Sequence, residues 1–111
     1  MKAAASIINS VAEPAGRVTL EVRWQTLVGQ MRFDNERMRF MTLEEHPEAA
    51  PPYAQTMYLF QRGGQGYQAL TRLVLADGRF FQMTAAVPEA DFDLLYPALV
   101  AAFDSLRVGA R

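Results

Sequence analysis

Between Ala54 and Val87 the chain carries apolar side chains on both faces of what reads as three consecutive strands, a pattern that constrains the fold more than any other feature. The strands run from Ala54 to Arg62, Tyr67 to Ala76 and Arg79 to Val87. They are separated by Gly63-Gly64-Gln65-Gly66 and by Asp77-Gly78, turn signals that predict an antiparallel meander. Side chains alternate across a strand, so Tyr58, Phe60, Leu73 and Leu75 belong to one side, and Met57, Leu59, Leu70 and Val74 to the other. Phe80 goes with the first set, and Phe81 and Met83 oppose it. Both faces therefore need cover, because a large exposed apolar patch is a liability.

One cover is legible at the C-terminus. After Pro88-Glu89-Ala90-Asp91, the residues Phe92, Leu95, Tyr96, Leu99, Val100, Phe103 and Leu106 recur at helical spacing and predict a buried stripe. Pro97 is expected to split this segment into a turn at 89–95 and a kinked or restarted helix to about 106. For the second face the candidates are an N-terminal helix, a second copy of the chain, or a ligand or partner. Residues 3–12 read as a short Ala-rich helix with Ile7, Ile8 and Val11 at helical spacing, stopped at Glu13-Pro14-Ala15-Gly16. From Arg17 the period changes to two, with Val18, Leu20, Val22 and Trp24 alternating with polar residues as in a half-buried strand. A hairpin is expected next: Gln30 to Phe33, a turn at Asp34-Asn35, and a strand from Glu36 to Glu44 with Met38 and Phe40 on one face. His46 to Pro52 holds three prolines in seven residues and reads as a loop. The expected fold is α+β: an antiparallel sheet of about five strands with a short N-terminal helix and a longer C-terminal helix packed on it, as one domain over residues 1–111.

Composition removes several kinds of chemistry. With no cysteine, thiol catalysis, disulfides and Cys-based metal sites are excluded, and one histidine excludes multi-His sites. Eleven basic residues against twelve acidic give a net charge of −1, which argues against a polybasic nucleic-acid binder or an anionic membrane surface. The start, Met1 to Ile8, is interrupted by Ser6, Asn9 and Ser10 before it reaches the about 7–15 apolar residues of a signal peptide, so a cytoplasmic location without membrane insertion is expected.

Side chains that could carry chemistry have simpler readings. His46 lies beside Glu44, Glu45 and Glu48, but Glu44 and Glu45 alternate across a strand and Pro47 breaks the pattern, so a solvated acidic loop is expected rather than a metal or general-base site. Asp91 and Asp93 suit the first turn of a helix. The glycines of Gly63-Gly64-Gln65-Gly66 lack the Lys-Ser/Thr of a P-loop and lead into a strand. Arg32, Arg37 and Arg39 with Phe33 and Phe40 offer a basic aromatic hairpin, which the net charge assigns to an ordinary outer sheet face rather than to single-stranded nucleic acid. No catalytic residue, cofactor or metal site is expected. Six methionines suit adaptable apolar contacts or core filling equally.

The run Ala54-Gln55-Thr56-Met57-Tyr58-Leu59-Phe60, with Gly63-Gly64, Asp77-Gly78-Arg79, Met83-Thr84-Ala85 and Phe103-Asp104-Ser105-Leu106-Arg107, resembles the C-terminal half of the PsbP/DcrB-like superfamily. Within it, the chain looks like the effector-associated (Eag) chaperones of type VI secretion. The resemblance covers residues 51–107 and rests on hydrophobic pattern plus these short motifs. It implies a non-enzymatic domain, dimeric in the chaperone branch, whose sheet grips apolar helices of an effector. Tyr58, Phe60, Leu73, Leu75 and Phe80 are then the expected partner-binding residues, with an apolar helical segment and a second copy of the chain as expected partners. The alternatives are an envelope-associated accessory subunit and a small-ligand-binding domain.

Overall fold

The computed structural model describes residues 7–34 and 38–105, with side chains described for 12–33 and 38–104. Strand β1 (Ile7–Pro14) leads to helix α1 (Leu20–Asp34), followed by β2 (Arg39–His46), β3 (Tyr53–Arg62), β4 (Gln65–Ala76) and β5 (Arg79–Pro88). A short 3₁₀ turn, Glu89–Asp91, enters helix α2 (Phe92–Ser105). The strands form one antiparallel sheet in the order β1-β5-β4-β3-β2. The α+β class, the five antiparallel strands and the two covering helices agree with expectation.

The meander forms where the sequence places it because its turns are specified locally. Gly63 and Gly64 have φ of 59° and 80°, and Asp77 and Gly78 have 54° and 68°. Two successive positive φ values match the right-handed twist of the flanking strands, a geometry that Gly adopts at no steric cost and Asp tolerates. Strand β4 begins at Gln65, so the first turn is two residues rather than four.

The N-terminal half differs from expectation. Residues 7–12, expected as helix, lie in β1, where Ile7 pairs with Ala86 and Pro14 with Arg79; residues 3–6 lie outside the described residues. The β-branched Ile7, Ile8 and Val11 suit a strand, and the open edge of β5 supplies the pairing that an isolated segment lacks. The alternating segment from Val18 is helical from Leu20. Thr19 caps it: its Oγ1 accepts from the Val22 amide at 3.2 Å, and its carbonyl accepts from the Arg23 amide at 3.0 Å. The apolar residues of the expected strand then divide, with Trp24 buried, Leu20 partly buried, and Val18 and Val22 about half exposed. Helix α1 continues through Gln30 to Asp34, so the expected hairpin is absent there; Asn35 to Arg37 lie outside the described residues.

At the other end, α2 runs through Pro97 without restarting. The ring leaves the Asp93 carbonyl without its usual donor, and the helix tolerates the loss with Pro97 on its exposed side. Phe92, Leu99 and Phe103 are buried, Leu95 and Val100 are half-buried, and Tyr96 is exposed; Leu106 lies outside the described residues. This stripe packs with Leu70, Val74, Met83, Ala85 and Val87. The other face carries α1, giving three layers: helix, sheet, helix. No described helix is long and apolar enough to cross a membrane.

Candidate functional site

Register places the expected partner-binding residues together. Tyr58 is opposite Ala69, Phe60 opposite Tyr67, Ala54 opposite Leu73, and Leu75 opposite Phe80. Directly opposed residues share a face, so Tyr58, Phe60, Leu73, Leu75 and Phe80 form one surface. Helix α1 lies over it: Trp24, Leu27 and Met31 belong to the same buried cluster as Tyr58, Phe60, Leu73 and Phe80. Residues 20, 24, 27, 28 and 31 form the helical stripe, an i, i+4, i+7, i+8, i+11 spacing present in the sequence beneath the more conspicuous alternation. The groups expected to meet a partner are thus already met by a helix of their own chain.

Aromatic rings run across this surface. Phe40 and Tyr58 have centroids 6.2 Å apart, Tyr58 and Phe60 5.9 Å, and Phe60 and Tyr67 5.4 Å, the last pair nearly parallel. A polar line crosses beneath them. Tyr58 Oη lies 3.3 Å from Thr71 Oγ1, which lies 3.1 Å from Thr84 Oγ1, and Thr56 Oγ1 donates to the Thr42 carbonyl at 2.6 Å. Burial raises the Tyr58 hydroxyl above its ordinary pKa, keeping it a neutral hydrogen-bonding group. The polar line is satisfied, so it adds specificity to an apolar seat without an unpaired buried group.

Two links tether α1. Arg23 Nε donates to Glu13 Oε2 at 2.6 Å, joining the helix to the end of β1, and the Arg32 guanidinium sits 4.7 Å from the Phe40 ring centre. The seat is not sealed, since Phe40, Tyr67, Leu75 and Ala86 remain partly exposed at its margin.

The other groups singled out in the sequence are arranged differently. Glu44 Oε1 is 2.9 Å from His46 Nε2 and Glu48 Oε2 is 3.3 Å from Nδ1, while the imidazole stacks on Tyr53 with centroids 4.8 Å apart. Glu44 and Glu48 therefore converge on His46, which the irregular loop was not expected to allow; Glu45 lies on the opposite face of β2. Carboxylates at both ring nitrogens favour the imidazolium, and the Glu44 hydrogen bond is the largest cause of the raised His46 pKa. The basic aromatic hairpin does not exist as such: Arg32 and Phe33 end α1, Arg39 and Phe40 begin β2, and Arg37 lies outside the described residues.

No family model and no curated protein matches this sequence. Solved structures do. The Pseudomonas aeruginosa protein PA94, described as a protein of unknown function and candidate regulator, superposes with a TM-score of 0.74 at 11% identity, over 96% of this chain and 85% of that one. The cyanobacterial PsbP, CyanoP, of Synechocystis sp. PCC 6803 gives 0.67 at 13% identity over 88% of this chain. The fold is PsbP-like. This chain spans 64% of CyanoP, and identities this low carry the architecture alone.

Proposed function

We propose that this chain is a non-enzymatic protein-binding domain, a bacterial chaperone or adaptor that shields an apolar helical segment of a secreted effector in the cytoplasm, acting as a homodimer. The observation that carries the reading is the seat formed by Tyr58, Phe60, Leu73, Leu75 and Phe80, which already receives a helix through Trp24, Leu27 and Met31. A client helix with the same apolar spacing lies along the partly exposed margin at Tyr67 and Ala86, or takes the place of α1 over the whole seat, Leu75 included. The resemblance to the Eag chaperones supports the direction, and the PsbP-like architecture is compatible with it.

The test is co-expression with a soluble carrier fused to an apolar helix flanked by lysines. The reading expects the fusion to move into the soluble fraction and to co-purify with the chain. A fusion that stays insoluble beside abundant, folded chain overturns it. An envelope accessory subunit is the second reading, favoured by the likeness to CyanoP; it expects no gain in solubility of such a helix.

A further inference from the structure

The edge strand β2 offers a second surface beside the seat beneath α1, with Trp24 shared between the two. No described strand lies beyond it, so the outer backbone groups of Arg39–His46 have no sheet partner among the described residues. Natural proteins protect such edges, commonly with charge or a bulge, because free N–H and C=O groups template another strand. Here the protection is partial: beside the charged Arg39, Glu44 and Glu45 and a bulge at Met41, the edge leaves Met41 and Leu43 each about half exposed.

A bulge shapes this edge. Phe40 pairs with Tyr58 and Thr42 with Met57, so Met41 is the extra residue. In a regular strand Phe40, Thr42 and Glu44 would share a face. The inserted residue instead brings Leu43, opposite Thr56, and Glu45, opposite Ala54, onto the face that carries α1. Between them and the helix a cleft of about 330 Å³ opens, with Trp24, Val28 and Arg32 on its helical side.

The cleft has an apolar middle and a charge at each end. The Arg32 guanidinium lies by Phe40 at the start of β2, and Glu45 stands near the strand's end. Both are exposed, and neither has an ion-pair partner among the described residues. A cleft of this volume takes a side chain or two, not a helix about 10 Å across. An adjoining free strand edge supplies what an extended peptide needs, with backbone bonds for affinity and pockets for alternate side chains.

We propose that β2 and the α1–β2 cleft bind an extended peptide by strand addition, antiparallel to β2. The peptide places a basic residue at Glu45, an apolar side chain between Trp24, Val28 and Leu43, and an acidic residue at Arg32. Antiparallel addition is the more stable ladder, and it fixes the order base, apolar, acid along the peptide.

The test is an amide-resonance titration of the ¹⁵N-labelled full chain with acetyl-Thr-Lys-Thr-Leu-Thr-Glu-Thr-amide, and separately with the peptide in which Lys and Glu are exchanged. The expected result is saturable shifts centred on β2 and the facing turns of α1, with a dissociation constant below about 1 mM. The exchanged peptide binds at least about tenfold more weakly, a difference of one decade in the constant. Leu43→Asp removes binding, and Glu45→Lys, which leaves the apolar wall intact, weakens the first peptide relative to the exchanged one. Absent shifts, equal affinity for the two peptides, or binding that survives both substitutions would overturn the proposal. So would concentration-dependent shifts at β2 in the peptide-free chain, which would assign the edge to a second copy. The two substitutions leave the seat residues Phe60 and Leu75 on β3 and β4 unaltered, so failure of strand addition is distinguishable from failure of the seat, which is tested with a helical peptide and Leu75→Asp.

Discussion

Arg72 Nη1 donates to Asp104 Oδ1 across 3.0 Å, joining β4 in mid-sheet to the last turn of α2. The same side chain donates through Nε to Gln55 Oε1 at 2.7 Å and lies over the rings of Tyr53 and Phe103, at 4.7 and 5.7 Å. Arg72 is mostly buried and Asp104 mostly exposed, so their substitutions differ in cost. Arg72→Ala is expected to lower unfolding free energy by about 1–3 kcal/mol, since it removes a part-buried hydrogen bond and ring contacts. Asp104→Ala, losing only a solvent-screened ion pair, costs less than about 1 kcal/mol. Urea denaturation of the two variants measures the difference.

Truncation after Tyr96 removes Leu99 and Phe103, both buried against the sheet. Each contributes about 1.5–3 kcal/mol of burial, against a total stability of about 5–15 kcal/mol, and their loss also uncovers the opposing face of the sheet. The truncated chain is expected to lose its cooperative thermal transition in calorimetry. A transition near that of the intact chain would contradict the covering role of α2.

Two phenylalanines separate seat from surface. Phe60 is 9% exposed beneath α1, and Phe33 is 89% exposed at the end of α1. Phe60→Asp places a carboxylate in an apolar cluster and is expected to cost several kcal/mol. Phe33→Ser is expected to stay within about 0.5 kcal/mol of the parent. Chemical denaturation ranks them, and similar losses from both would contradict the described packing.

His46 sets a small pH dependence. Its folded pKa lies above the ordinary 6.5, so its contribution is complete below 6.5 and is lost as pH rises through the folded value. Glu48, lowered from 4.5 chiefly by a backbone hydrogen bond and then by His46, contributes above 4.5 and loses that contribution as pH falls through its folded value. The His46 interaction therefore favours the folded chain most between these limits. His46→Ala is expected to flatten the slight fall in melting temperature between about pH 6 and pH 8, the range in which histidine titrates. Parallel slopes for parent and variant would place the titrating group elsewhere.

The C-terminal two-thirds was legible because its signals are local. Asp77-Gly78 and Gly63-Gly64 dictate their own turns, and period-two patterning sorted Tyr58, Phe60, Leu73, Leu75 and Phe80 from Met57, Leu59, Leu70 and Val74. The N-terminal third was not, because two periodicities overlap there. Val18, Leu20, Val22 and Trp24 alternate, while Leu20, Trp24, Leu27, Val28 and Met31 make a helical stripe, and the Thr19 cap and the apolar seat favour the helix. For Ile7–Pro14 the deciding partner is the edge of β5, 65 to 79 residues away in the chain, and the bulge at Met41 leaves no mark in hydropathy.

The most direct test of the helix-receiving seat uses Trp24, the chain's single tryptophan, which is buried in the α1 cluster. A lysine-flanked apolar helix peptide without tryptophan is titrated into the intact chain and into Leu75→Asp, a substitution at the partly exposed margin, while the fluorescence of Trp24 is recorded. A saturable spectral change in the parent, reduced at least about tenfold in affinity by the buried-carboxylate penalty in the variant, is the predicted result. An unchanged Trp24 spectrum, or equal binding by the parent and a folded Leu75→Asp variant, would contradict the proposed function.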